Sequence, residues 1–325
     1  MKQTCRGTQP MGIEITDKYW RIRMQPGDEN DAGEAWAQNK VGIWYGGWTS
    51  ENLAKALRLP DKKRRLAYLD NLPRQKRLRD EEGWDNLSPA FLDTAIRFCT
   101  QIGQSDWVFV CFDDALHLAR AGRRVHCSED SDFNRGLNLF KFRVIKQKKR
   151  FRLTLLPDCF RLLPSAGRSN VHEVLQSRGL VKLLAESKDE QEVILALNSM
   201  PLAQMLDVMG PNSWESLCEA YLIVTRGFLP TGLSIGKTLA TFDIVGRAEG
   251  GRKILAQCKK DPTGVHISHE FKSAVDRSAD FYFFTYGRCL ESPPPGVTVI
   301  QRTHIQDWLE QDAKGKQYLT FLREP

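Results

Sequence analysis

Asp243, Gln257 and Lys259 are the residues whose types and spacing could do chemistry together. They fall in Thr238–Lys260, TLATFDIVGRAEGGRKILAQCKK, two apolar strand-like runs joined by a glycine-containing turn. Gln257 and Lys259 are two positions apart, so a strand points both side chains to one face. Pairing the strands through Gly250-Gly251 brings Asp243 beside them. An acid, an amide oxygen and a lysine then converge on one point of a sheet. Such a set can hold a divalent cation and a water next to a phosphodiester, so the leading expectation is metal-dependent phosphodiester hydrolysis.

Composition leaves room for such a site. The 325 residues suffice for two domains, and an apolar content of 41% excludes wholesale disorder. The net charge of +7 suits a polyanionic partner. Eight cysteines are scattered singly with no CxxC pair, which implies buried thiols in a reducing cytoplasm and excludes a disulfide framework. The first residues, MKQTCRGTQPMG, lack the apolar core of a signal peptide. No run approaches the roughly eighteen apolar residues of a membrane span. The expected setting is therefore cytoplasmic, away from membranes.

The elements that must position the site follow from pattern. The part up to residue 170 is strand-rich and holds six of the eight tryptophans. Strands are expected at Tyr19–Met24, Val41–Trp44, Trp107–Phe112, Phe140–Lys146 and Phe151–Leu156, with a charged helical insert over Glu51–Gly103. The basic run Lys146–Arg150 is expected to be a hairpin turn between the last two strands. Residues 171–210 read as a helical connector, with helices over Val171–Ala185, Asp189–Leu197 and Pro201–Met209. In residues 211–325, Ser213 is expected to cap a helix Trp214–Arg226 that carries Glu219 and ends at Gly227. After the two strands of the site come a helix His269–Ser278, strands Asp280–Tyr286 and Val297–Ile300, and a helix Thr303–Glu310. Gly232–Lys237 could add an edge strand. The resulting class is mixed α/β, of the α+β kind.

A helix acid (Glu219), an Asp on a strand (Asp243) and a QxK (Gln257-Cys258-Lys259) resemble the PD-(D/E)xK nuclease fold. The phrases FDIVGR and KILAQCKK are most similar to the Mrr-type restriction endonuclease domain, over Trp214–Trp308. Phe242 stands where the family pattern has its proline. The resemblance implies Mg²⁺ or Mn²⁺ held by Asp243, the Gln257 amide oxygen and the Cys258 backbone carbonyl, with Glu219 partly compensating the lost acid. Lys259 would orient the attacking water and stabilise the transition state. In the first 170 residues, WRIRMQPG, VGIWYGGW, DWVFV and FKFRVI resemble PUA-like or EVE-like β-barrels that admit a flipped base. Trp20, Trp36, Trp44 and Trp48 are the candidate pocket walls. The pair of domains implies restriction or antiviral defence, with double-stranded DNA, including modified DNA, as partner. Cutting both strands implies a homodimer.

Plainer readings stand beside these. Gln257 and Lys259 could line a solvated strand face, but polar groups inside apolar strands need a reason. Glu219 could face solvent, the tryptophans could be barrel core, and the basic runs at Lys62–Arg65 and Lys146–Arg150 could be solvated surface. Gly232–Thr238 imitates a phosphate-binding loop but has three residues between its glycines where four are required. Cys258, His266 and His269 lack a fourth ligand at zinc-site spacing. The rival functions are a non-catalytic nucleic-acid-binding protein with a degenerate nuclease fold, an RNA-directed protein, and a repair nuclease.

Overall fold

The computed structural model describes residues 17–24, 32–44, 46–127, 133–134, 136–161, 163, 170–231 and 241–325. These form a mixed α/β structure with one six-stranded and one five-stranded sheet. The chain divides into two compact units: Met1–Val110, Ala119–Lys148 and Ser169–Glu173 in the first, and Cys111–Leu118, Lys149–Arg168 and Val174–Pro325 in the second.

The six-stranded sheet contains β1 (Tyr19–Ile22), β2 (Lys40–Trp44), β3 (Trp107–Phe112), β4 (Ala115–Cys127), β5 (Phe140–Arg152) and β6 (Val171–Glu173), in the order β2-β5-β4-β3-β1-β6. A short helix, α1 (Ala32–Ala37), precedes β2. β3 and β4 are joined by Asp113-Asp114, both at positive φ (48° and 49°), the geometry of a two-residue hairpin turn. The expected hairpin at Lys146–Arg150 is not formed. These residues lie inside one continuous strand, β5, and Gln147 adopts a φ of 52° within it. The strand ends in a 3₁₀ turn, Leu153–Leu155, where a further strand was expected. Val171–Glu173, expected to open a helix, pairs antiparallel with β1 instead.

Between β2 and β3 the helical insert comprises α2 (Ser50–Leu57), α3 (Lys62–Asp70), α4 (Pro73–Glu82) and α5 (Pro89–Ile96), then a π-helical turn, Arg97–Gln101. Its apolar residues Leu53, Leu69 and Leu92 gather on Trp48, which is wholly buried. Trp20, Trp36 and Trp44 are buried as well. Two buried cations knit this unit. Arg143 donates to the carbonyls of Phe98, Cys99, Gly122 and Arg123, at 2.8–3.2 Å. Lys141 Nζ donates to the carbonyls of Gly46 and Leu139 and lies 4.2 Å from the centre of the Trp48 ring.

Burial pulls the Lys141 ammonium down to about 7 from the 10.5 of a free lysine. Between those values the unfolded chain holds a proton that the folded chain has released, so stability rises with pH across that window. Below about 7 the penalty is complete. The expected slope is ~1.4 kcal/mol per pH unit. Urea unfolding of wild type and Lys141→Met at pH 7 and pH 9 measures it. Wild type should gain stability relative to the variant at the higher pH, and parallel profiles would refute the assignment.

In the second unit, α6 (Arg178–Glu186), α7 (Glu190–Ser199) and α8 (Leu202–Val208) precede α9 (Pro211–Arg226). The α9 cap is Gly210, with Pro211 in the first turn, so Ser213 is one turn inside the helix. Gly227 ends α9 in the left-handed conformation (φ 57°). The five-stranded sheet follows: β7 (Leu229–Pro230), β8 (Ile244–Arg247), β9 (Lys253–Lys259), β10 (Ala279–Thr285) and β11 (Val297–Gln301), in the order β11-β10-β9-β8-β7. β9, β10 and β11 are parallel, whereas β8 runs antiparallel to β9. A helix, α10 (His269–Ala274), packs Phe271 with Val245, Leu255, Phe281 and Phe283. Helices α11 (Arg302–Gln311) and α12 (Ala313–Arg323) close the chain, the latter unforeseen from sequence. The expected edge strand and phosphate-loop imitation at 232–238 lie outside the described residues.

Candidate active site

The β8–β9 hairpin sets the site. Gly251, at φ 81°, makes the turn, closed by Ala248 N–H donating to Arg252 O and Gly251 N–H donating to Ala248 O. The register pairs Ile244 with Ala256, its last pair, and Asp243 stands just before β8. Asp243 N–H donates to Ala256 O at 2.9 Å, the residue already paired with Ile244, so the regular register stops at Ile244. Gln257 and Lys259 alternate with Cys258 along β9 and share a face. Asp243 stands at the start of an antiparallel strand and Lys259 at the carboxyl end of a parallel one, so both lie at one end of the sheet. That end is where open α/β sheets bind ligands.

Asp243 Oδ2 accepts a 2.7 Å hydrogen bond from the backbone N–H of Cys258. This fixes the carboxylate across the hairpin. A strand residue points its N–H and C=O to the same side, so the Cys258 carbonyl also faces Asp243. Gln257 is 4% exposed. Its Nε2 donates to the Thr241 carbonyl at 2.9 Å. A carbonyl can only accept, so this contact sets the amide orientation and turns Oε1 the other way. Oε1 is buried and receives no hydrogen bond from the described residues. A buried acceptor without a donor costs roughly 1–3 kcal/mol, which a cation ligated at that oxygen would offset.

Among the described residues, no group of three or more His, Cys, Asp and Glu side chains is gathered to hold a metal. A cation here would rest on one carboxylate (Asp243), the Gln257 amide oxygen, the Cys258 carbonyl and water. Those are hard oxygen donors, and a magnesium ion that keeps several waters and takes one or two carboxylates suits them.

Cys258 points away from this face, to α9. Cys218 of α9 neighbours it, and burial pushes both thiols up. The charges of Asp243 and Glu215 act on both sulfurs, so both acids lie close to the Cys218–Cys258 pair. Glu219 is the helix acid singled out from sequence. Its charge acts on Tyr318 of α12, and partial burial raises its own carboxyl. Glu215, one turn earlier, is the α9 acid whose charge acts on the same two sulfurs as that of Asp243.

Gln257→Glu gives the donor set a second test. The change adds a second carboxylate to the hairpin and removes the donor to Thr241. In chelator, the variant should lose roughly 1–3 kcal/mol of stability. With Mg²⁺ or Mn²⁺ at ~100 times its dissociation constant, about 2.7 kcal/mol should return. Thermal melting with and without metal reads both effects; identical melting shifts in variant and wild type would contradict the assignment.

No helix among the described residues is long and apolar enough to cross a membrane. No protein-family model matches the chain, and no curated protein or solved structure matches it either.

Proposed function

We propose that this protein is a metal-dependent DNA endonuclease acting in restriction or antiviral defence. The observation that carries this reading is the buried Gln257 Oε1, without a hydrogen-bond partner among the described residues, in the hairpin whose other strand Asp243 precedes. A bound Mg²⁺ or Mn²⁺ would polarise the phosphate and lower the pKa of a water. Asp243, tethered by the Cys258 N–H, presents its carboxylate in a fixed direction. Lys259 holds the attacking water and stabilises negative charge as it develops on the phosphate. Glu215 supplements the single carboxylate from α9. The second unit would thus be the PD-(D/E)xK-like nuclease and the first a PUA-like DNA sensor, with two copies of the chain cutting the two strands.

Plasmid cleavage tests the proposal. Supercoiled DNA, unmodified or carrying methylated or hydroxymethylated cytosine, is incubated with protein and Mg²⁺ or Mn²⁺. Nicking and linearisation that stop on chelation are expected. Binding without cleavage of any of these substrates would favour the non-catalytic rival, and a preference for RNA at matched salt would favour the RNA-directed one.

A further inference from the structure

A polar cleft of about 540 Å³ opens in the first unit, lined by Asp17, Gln104, Ser105, Arg120, Lys146 and Gln147 among others. It is a built feature. Ser105, at φ 68°, donates its N–H to Ala121 O, and Ala121 donates to Asp106 O, which stitches the turn before β3 to β4. Asp106 Oδ2 braces the same turn by accepting from Gly103 N–H and Trp20 Nε1. Arg120 is held in place over the Trp107 ring at 4.3 Å, by a 2.6 Å hydrogen bond to Ser105 O and by an ion pair with Asp17 at 3.0 Å.

The charge around the cleft is not balanced. Asp17 offsets Arg120, but Lys146 is exposed and has no ion pair among the described residues. Arg123 and Arg124, further along β4, are exposed and equally without ion pairs among those residues. Arg120 and Arg124 are four residues apart on one strand, about 13 Å at the rise of a strand. One small anion cannot span that distance, whereas a chain of phosphates can. Gln104, Gln147 and Ser105 add neutral donors of the kind that contact phosphate oxygens.

We propose that this cleft and its cationic rim bind the phosphodiester backbone of a nucleic-acid strand, at a site separate from the hydrolytic centre. The contacts position the strand without reading its bases. The proposal does not depend on hydrolysis.

The test is equilibrium binding of the full chain carrying Asp243→Asn, so that no substrate is consumed. Fluorescent single-stranded DNA, duplex DNA and RNA of one sequence are titrated over a range of salt. Adding Arg124→Glu with Lys146→Glu should weaken binding at least tenfold at low salt in one or more arms. The slope of log affinity against log salt should flatten by about two. The arm that responds most identifies the source of the phosphates. Gln at both positions, which removes charge without reversing it, should flatten the slope with an unchanged circular dichroism spectrum. Unchanged affinity and slope in all three arms, or no binding by the parent in any arm, would overturn the proposal.

Discussion

Asp243→Asn is expected to lower metal-dependent hydrolysis by roughly a hundredfold or more while leaving the fold intact. The two consequences separate because Asp243 does two things. Its Oδ2 accepts from the Cys258 N–H, a bond that the amide oxygen of asparagine can still take. Its negative charge is lost in asparagine. The stability loss should therefore stay near 1 kcal/mol, the difference between a charged and a neutral acceptor. Steady-state cleavage rates and urea unfolding measured on the same preparations read the two effects. A variant that cuts at the wild-type rate would remove Asp243 from the reaction. A variant that unfolds would show its role to be structural.

Arg143→Met should cost about 3–5 kcal/mol of stability, the largest effect expected of any single substitution outside the site. Arg143 is 1% exposed, and its guanidinium serves four carbonyls at once. Two of them, Phe98 and Cys99, belong to the π-helical turn after α5; the other two, Gly122 and Arg123, belong to β4. Methionine fills the space but leaves those oxygens without their donor, and each such loss is worth roughly 1–3 kcal/mol. Lysine restores the charge but not the planar fork, so Arg143→Lys should recover less than half of the loss. Tryptophan fluorescence during urea unfolding is the suitable signal, because six of the eight tryptophans lie in this unit. A midpoint displaced by less than ~1 kcal/mol would show that the carbonyls find other donors.

The chemistry-bearing hairpin was legible because its signals are local. Gly250-Gly251 marks the turn, apolar runs mark the strands, and two-residue spacing sets the shared face of Gln257 and Lys259. The missed features depend on partners distant in sequence. β4 begins ALHLARA, whose residues are nearly all buried, so the alternation that marks a half-exposed strand is absent. Its turn, Asp113-Asp114, uses no glycine or asparagine for its two positive φ angles. Lys146–Arg150 resembles a turn because it is polar, yet a strand whose edge residues face solvent has the same composition. Val171–Glu173 is a strand because β1 offers it a partner. α9 carries two acids one turn apart, Glu215 and Glu219. Helical spacing alone treats the two acids alike.

The most direct test of the metal centre is Mn²⁺ binding followed by electron paramagnetic resonance, on wild type, Asp243→Ala and Gln257→Ala. The account predicts one tight site per chain in wild type, its loss in Asp243→Ala and at least tenfold weaker binding in Gln257→Ala. Equal Mn²⁺ affinity in all three proteins would contradict a metal held between Asp243 and Gln257, and with it the proposed nuclease chemistry.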